Sequence, residues 1–74
     1  MEINEFIEKF AEAIDVENVD VLTAETEFRD LDEWSSLSVM LLIAFYDEEF
    51  GKEISGQDIK SCNTLRDLCK LANA

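Results

Sequence analysis

The sequence predicts an all-α fold: a small bundle of three main helices plus one short helix, with a long loop between helices one and two. Three observations favour this class. Apolar residues recur at spacings of three and four within Met1–Asp15, which is typical of an amphipathic helix. A continuous apolar run, Val39–Tyr46, lies in the middle of the chain. Two helix-capping signatures follow that run, and no stretch shows the alternation of a half-buried strand.

Helix one is predicted over Met1–Asp15. Its inward face consists of Ile3, Phe6, Ile7, Phe10, Ala11 and Ile14. The connection that follows, Val16–Ser35, exceeds about 15 residues, and loops of that length are usually functional or disordered. Spaced apolar residues, Phe28 and Trp34 among them, indicate that this loop is ordered and packs across one end of the bundle. We expect a single helical turn within Asp15–Leu22.

Helix two is predicted to start at Ser35, as the N-cap, and to run to about Phe50, with Gly51 as the stop. The Ser35 hydroxyl can accept an otherwise unpaired backbone N–H. Ser36 is then the first helical residue, and we expect it to face solvent. Because the run Val39–Tyr46 is apolar on every side, we expect helix two to be the central and most buried helix.

Two capping signatures predict the remaining helices. The S-x-x-D sequence Ser55–Asp58 indicates a short helix from about Gly56 to Ser61. The T-x-x-D sequence Thr64–Asp67 indicates a last helix that starts near Asn63 or Thr64. Its inward face consists of Leu65, Leu68, Cys69, Leu71 and Ala72.

Charge and length limit the classes of function. Eighteen acidic residues against six basic ones give a net charge of -12. This charge argues against nucleic acid and anionic membranes as partners and favours partners with basic patches. The apolar run is far shorter than the roughly 20 residues of a membrane span, and Met1–Asp15 lacks a signal-peptide apolar region. We therefore expect a cytoplasmic, monomeric chain with a single domain over residues 1–74.

Catalytic and metal sites have little support. The chain has no histidine to act as an acid or base near neutral pH, so we do not expect an enzyme. The acidic segment Asp30–Trp34 lacks the third ligand and the glycine of a calcium-binding loop. Two thiols, Cys62 and Cys69, do not make a structural zinc site. Seven positions apart on one helix, they would be roughly 10 Å apart, too far for a disulfide, so we expect two reduced, partly buried thiols.

The serine at the start of helix two is the remaining candidate. A phosphate ester at a helix N-terminus faces free N–H groups and the positive end of the helix dipole. Ser36 is therefore a good attachment point for a phosphate-linked arm. Spacing alone does not single it out, because serine is also a favoured capping residue.

The order of motifs extends over essentially the whole chain. The motifs are Thr26–Leu31, Trp34–Leu37, Asp47–Gly51, Ile54–Ser55 and Asn63–Leu68. In this order they resemble the acyl carrier proteins, in which a D-S-L triplet opens helix two and its serine receives 4′-phosphopantetheine. The distance from that serine to the family's E-E-F motif matches if the serine is Ser36. The resemblance thus implies Ser36 as the attachment site, Leu37 as the matching leucine and Ser35 in place of the aspartate.

The resemblance implies a carrier rather than an enzyme. A phosphopantetheinyl transferase would move the arm from coenzyme A to Ser36. A ligase would load an acyl or aminoacyl group as a thioester, and downstream biosynthetic enzymes would use it. The alternative is an unmodified acidic helical adaptor of the same fold, which the replacement of the aspartate by Ser35 favours.

The acids of helix two are displaced relative to the resembled family. Members often place acids just after the serine, where this chain has Ser38, Val39, Met40 and Leu41. Here acids lie before the helix and after it, in Asp47–Glu49, which indicates a specialised carrier rather than the housekeeping fatty-acid one. We expect partner enzymes to contact Asp30, Asp32, Glu33, Trp34, Val39 and Met40.

Overall fold

A computed structural model describes residues 1–73 of the chain. Its α-helices are α1 (Ile3–Ile14), α2 (Ser36–Phe50), α3 (Gly56–Lys60) and α4 (Leu65–Asn73). The predicted all-α class, with three longer helices and one short one, is confirmed. Residues 1–73 contain no strand, and their one β-type contact is an isolated antiparallel bridge between Glu27 and Thr64.

Helix α1 follows the predicted periodicity. Five of the six residues predicted to face inward are buried: Phe6, Ile7, Phe10, Ala11 and Ile14. The helix ends at Ile14 because Asp15 adopts a left-handed backbone conformation with φ 59°. The N–H groups of Asp15 and Val16 both donate to the carbonyl of Ala11, which satisfies an acceptor that the helix end leaves free.

The long loop between α1 and α2 is ordered and contains two 3₁₀ turns. The turn Val19–Val21 is the one predicted within Asp15–Leu22. A second turn, Phe28–Asp30, was not predicted. Phe28 is fully buried, so this second turn attaches the loop to the core just before α2.

The same loop also supports the start of α4. The N–H of Leu65 donates to the carbonyl of Thr26 at 3.0 Å, and the N–H of Arg66 donates to the carbonyl of Ala24 at 2.9 Å. The first N–H groups of a helix have no acceptor within the helix. The loop supplies those acceptors and is thereby held against the C-terminal part of the chain.

The prediction that helix two is the most buried helix is wrong. Its buried side chains are Ser38, Leu42, Phe45 and Tyr46, whereas Leu37, Met40 and Leu41 are exposed. The reason is that few helices pack against α2. Helix α2 packs on α1 and α3 and contacts α4 through Tyr46, and its remaining side faces solvent. An evenly apolar helix sequence does not show which side lacks a partner.

Both capping signatures in the C-terminal part are confirmed. The N–H of Ser55 donates to Asp58 Oδ2 at 2.9 Å, and the N–H of Asp58 donates to Ser55 Oγ at 3.3 Å. At the start of α4, Asp67 Oδ2 accepts from the N–H groups of Asn63 and Thr64 at 3.0 and 3.2 Å. Helix α3 ends one residue before the predicted limit, and α4 starts one residue after Thr64.

The core centres on a group of aromatic rings. Phe6 contacts the rings of Phe10, Phe45, Tyr46 and Phe50 at centroid distances of 6.1 to 6.3 Å. These rings join α1 to α2. The hydroxyl of the buried Tyr46 donates to the carbonyl of Leu68, which joins α2 to α4.

The two cysteines are free thiols, and both are buried. Cys69 lies on α4, but Cys62 lies in the link between α3 and α4. They therefore do not share a helix, as the predicted spacing of roughly 10 Å assumed.

Candidate functional site

Ser36 is the first residue of α2 and is exposed. Ser35 before it is the N-cap, with an extended backbone at φ −147° and ψ 177°, as predicted. The Ser36 hydroxyl has no hydrogen-bond partner within residues 1–73. It is therefore a free hydroxyl held at the start of a 15-residue helix.

Ser38 is the residue at this site that sequence reasoning missed. It is only 2% exposed. Its Oγ accepts from the N–H of Ser35 at 3.0 Å and donates to the carbonyl of Glu33 at 3.3 Å. Ser35 and Ser38 occupy the two positions of a capping box, and their S-x-x-S spacing was the available signal. These bonds hold the backbone on both sides of Ser36.

Trp34 fastens the segment before Ser36 to the core. Its half-buried ring meets the Phe28 ring edge to face, with centroids 4.9 Å apart. Edge-to-face pairs of this kind are favourable beyond the area that they bury. Because Trp34 is only two positions before Ser36, this contact limits the movement of the backbone that leads into Ser36.

Arg29 joins the same segment to α3. Its guanidinium carbon lies 4.8 Å from the centroid of the Phe28 ring, within the range of a cation–π contact. One of its nitrogens donates to the carbonyls of Ile59 and Lys60, both at 2.9 Å. Those carbonyls lie at the C-terminal end of α3, where the last helix acceptors have no donor within the helix. The Ile59 carbonyl also accepts from the N–H of Cys62 at 3.0 Å.

A groove opens beside α2, on the side that faces the link to α3. Its volume is about 550 Å³. It is lined by Met40, Ile43, Ala44, Asp47, Glu53 and Ile54. Ser36, Met40, Ile43 and Asp47 are separated by four, three and four positions, so they share one face of the helix. The groove therefore lies on the side of α2 that carries the free hydroxyl.

Comparison with protein families adds the deciding observation. The model of the family described as "Phosphopantetheine attachment site" matches residues 4–72. The chain belongs to this family. Its domains hold 4′-phosphopantetheine covalently on a serine and are not themselves catalytic, so the predicted resemblance and the predicted cofactor are confirmed. Comparisons with curated proteins and with solved structures gave no significant match.

The predicted recognition residues of this phosphopantetheine-attachment domain fall into two groups. Asp30, Asp32 and Met40 are exposed, whereas Glu33, Trp34 and Val39 are half-buried. Val39 points towards the start of α3, with its Cγ1 3.8 Å from the position that a β-carbon on Gly56 would occupy. The structure thus brings only part of the predicted set to the surface.

Among residues 1–73, the groups whose pKa values are shifted lie away from Ser36. Burial raises the pKa of the Tyr46 hydroxyl. Burial, and then the charge of Asp67, raises the pKa of the Cys62 thiol. The backbone N–H of Asn63, and then that of Thr64, lowers the pKa of Asp67. These groups belong to the core and to the start of α4.

Residues 1–73 contain no group of three or more His, Cys, Asp or Glu side chains placed to hold a metal ion. Among the same residues, no helix combines the length and apolar character needed to cross a membrane.

Proposed function

We propose that this chain is a carrier protein that holds acyl or aminoacyl groups as thioesters on a 4′-phosphopantetheine arm attached to Ser36. The position of Ser36 supports this proposal most directly. It is exposed at the first position of α2, its hydroxyl is unbonded within residues 1–73, and it lies inside the matched family range. Ser35 and Ser38 are both engaged in closing the helix start.

The surroundings of Ser36 fit a phosphodiester. The N–H groups of Ser36 and Leu37 have no acceptor within residues 1–73. They lie at the positive end of the α2 dipole, where an anion is favoured. Ser35 is uncharged, so no carboxylate immediately precedes the attachment residue.

When attached, the arm supplies a terminal thiol that holds the cargo as a thioester. The groove lined by Met40, Ile43 and Ile54 lies on the Ser36 side of α2. We propose that these side chains shelter the apolar part of the cargo from water. Burial of apolar surface there is favoured by about 25 cal/mol per Å², and it leaves the reactive carbonyl free to be presented to enzymes.

The proposed partners are a phosphopantetheinyl transferase, a ligase that loads an acyl or aminoacyl group, and downstream biosynthetic enzymes. The proposed setting is the cytoplasm, and the proposed state is a monomer. The net charge of -12 supports rapid encounters with basic surfaces through electrostatic steering. The acids displaced to the two ends of α2 support a specialised carrier.

Intact-mass measurement tests the proposal. Incubation with coenzyme A and a broad-specificity transferase should add the mass of one arm to the wild-type chain. Ser36→Ala should abolish the addition. Ser35→Ala is the matched control: it removes the neighbouring hydroxyl but keeps the backbone N–H that bonds to Ser38, so it should still be modified.

The alternative is an unmodified acidic adaptor of the same fold, favoured by Ser35 in place of the family's aspartate. A wild-type chain that gains no mass with several transferases would support the adaptor. Addition of the arm to Ser36→Ala would instead place the attachment site elsewhere.

A further inference from the structure

The groove beside α2 has a lining of two different kinds. Four of the lining residues are apolar and two are acidic: Met40, Ile43, Ala44 and Ile54, and then Asp47 and Glu53. Within residues 1–73, this lining includes no basic side chain, and Lys52 adjoins Glu53 in the sequence without lining the groove. A ligand that complements the whole lining therefore has both an apolar part and a positive charge.

The acidic part of the groove lies away from Ser36. Asp47 follows Ser36 by eleven positions, which is about 16 Å along the helix axis, whereas Met40 is only about 6 Å from Ser36. Glu53 belongs to the link that leads from the end of α2 to α3. The groove therefore changes from apolar to acidic with distance from the attachment residue.

The end of α2 makes the acidic part more negative. The last turn of this helix contains no basic residue, and its free carbonyls carry the negative end of the helix dipole. Glu49 in that turn has a cation beside it, because Lys9 of α1 lies 3.1 Å away. Asp47 and Glu53 form no ion pair within residues 1–73. A cation is therefore favoured at this end of the groove.

We infer that the cargo of this groove is an aminoacyl group whose ammonium pairs with Asp47 and Glu53. The apolar side chain of that group packs against Ile43 and Ile54. This inference rests on the proposed function, because the cargo reaches the groove only through an arm on Ser36. It selects the aminoacyl form of the cargo over a plain acyl chain.

Other occupants fit the lining less well. A hydrocarbon chain would cover the apolar wall but would take water from two carboxylates without pairing them, which is costly. A cargo that ends in a carboxylate would be repelled. Residues 1–73 contain no group of three or more metal-ligating side chains, whereas an ammonium, with three N–H donors, can pair with the two carboxylates.

The loaded carrier provides the test. A broad-specificity transferase attaches the arm from leucyl-coenzyme A or from isocaproyl-coenzyme A, which lacks only the amino group of the leucyl cargo. The transferase is then removed, so that the cargo contacts only the carrier chain. Intact mass follows the hydrolysis of each thioester at neutral pH, and the rate is compared with that of the same thioester on free pantetheine.

Two double variants separate the groove from the overall charge. The groove variant is Asp47→Asn with Glu53→Gln. The matched control is Asp32→Asn with Glu48→Gln, which makes the same change in net charge at two exposed residues outside the groove. An effect of net charge would alter both variants alike, whereas pairing in the groove alters only the first. Urea unfolding of each variant confirms that its fold is retained.

The wild-type chain should protect the leucyl thioester from hydrolysis, and the groove variant should reduce this protection about fivefold, the size of one well-formed exposed ion pair. The isocaproyl thioester should change less than about twofold, because it has no charge to pair. The control variant should match wild type with both cargoes. Equal leucyl rates in wild type and the groove variant, or an equal loss with both cargoes, would overturn the inference.

Failure of the proposed function gives a different result. A wild-type chain that receives no arm overturns the proposed function and this inference together. A wild-type chain that receives the arm, but loses leucine as fast as free pantetheine does, remains a carrier and overturns only this inference.

Discussion

Ser38→Ala should destabilise the fold, although the change removes a single oxygen atom. Ser38 is buried, and its hydroxyl bonds to both the N–H of Ser35 and the carbonyl of Glu33. The variant loses both bonds at the start of α2. Ser36→Ala is the matched control, because the Ser36 hydroxyl has no partner within residues 1–73.

The size of the loss follows from the exposure of the two partners. Ser35 is exposed and Glu33 is half-buried, so water can reach the groups that lose Ser38. The loss is then the net value of two hydrogen bonds, at about 0.5–1.5 kcal/mol each, or about 2 kcal/mol in all. Ser36→Ala should stay within about 0.5 kcal/mol of wild type.

Urea unfolding followed by circular dichroism measures this difference. With an m-value of about 1 kcal/mol/M for a small domain, the midpoint of Ser38→Ala should fall by about 2 M. The melting temperature should fall by about 8–16 °C, at about 4–8 °C per kcal/mol. Equal midpoints for the Ser38 and Ser36 variants would refute the reasoning.

Three further predictions concern the core, the start of α4 and the overall charge. Tyr46→Phe removes the hydrogen bond to the Leu68 carbonyl, and that carbonyl keeps its donor within α4. The free energy of unfolding should therefore fall by about 1 kcal/mol. An unchanged urea midpoint would count against this prediction. The N–H of Asn63 lowers the pKa of Asp67 below its usual 3.8 in the folded state. The wild-type chain should therefore be more stable than Asp67→Asn above pH 3.8. This advantage should vanish as the pH falls through the lowered pKa of Asp67. An advantage that does not vary with pH would contradict this. Added salt should raise the melting temperature, because eighteen acidic residues against six basic ones repel each other at low ionic strength; a fall between low and moderate salt would disprove it.

Features with local causes could be predicted from the sequence. The period of three and four in α1 shows its buried face directly, because one side of that helix is polar. The starts of α3 and α4 are predicted by the capping residues Ser55 and Thr64, each of which has an aspartate three positions later. The exposed Ser36 followed in the same way from the N-cap at Ser35.

Features that depend on distant contacts could not be predicted in this way. Arg29 bonds to the carbonyls of Ile59 and Lys60, about thirty positions away, and no local pattern marks such a partner. The carbonyls of Ala24 and Thr26 in the first loop are likewise distant in sequence from the N–H groups at the start of α4 that donate to them. Ser38 differs, because its S-x-x-S spacing was visible. From the sequence, that position is interpreted only as one where members of the resembled family often place an acid.

The wrong prediction about α2 has a physical origin in the size of the chain. A chain of 74 residues buries only about 60% of its extended surface, and its three other helices leave one side of the evenly apolar α2 uncovered. Part of α2 must therefore stay in water, and the part that does so adjoins Ser36. A net charge of -12 disfavours self-association through such a surface, because like-charged copies repel. The acidity that first suggested basic partners thus also offsets the exposure of the apolar side chains of Leu37, Met40 and Leu41 beside Ser36.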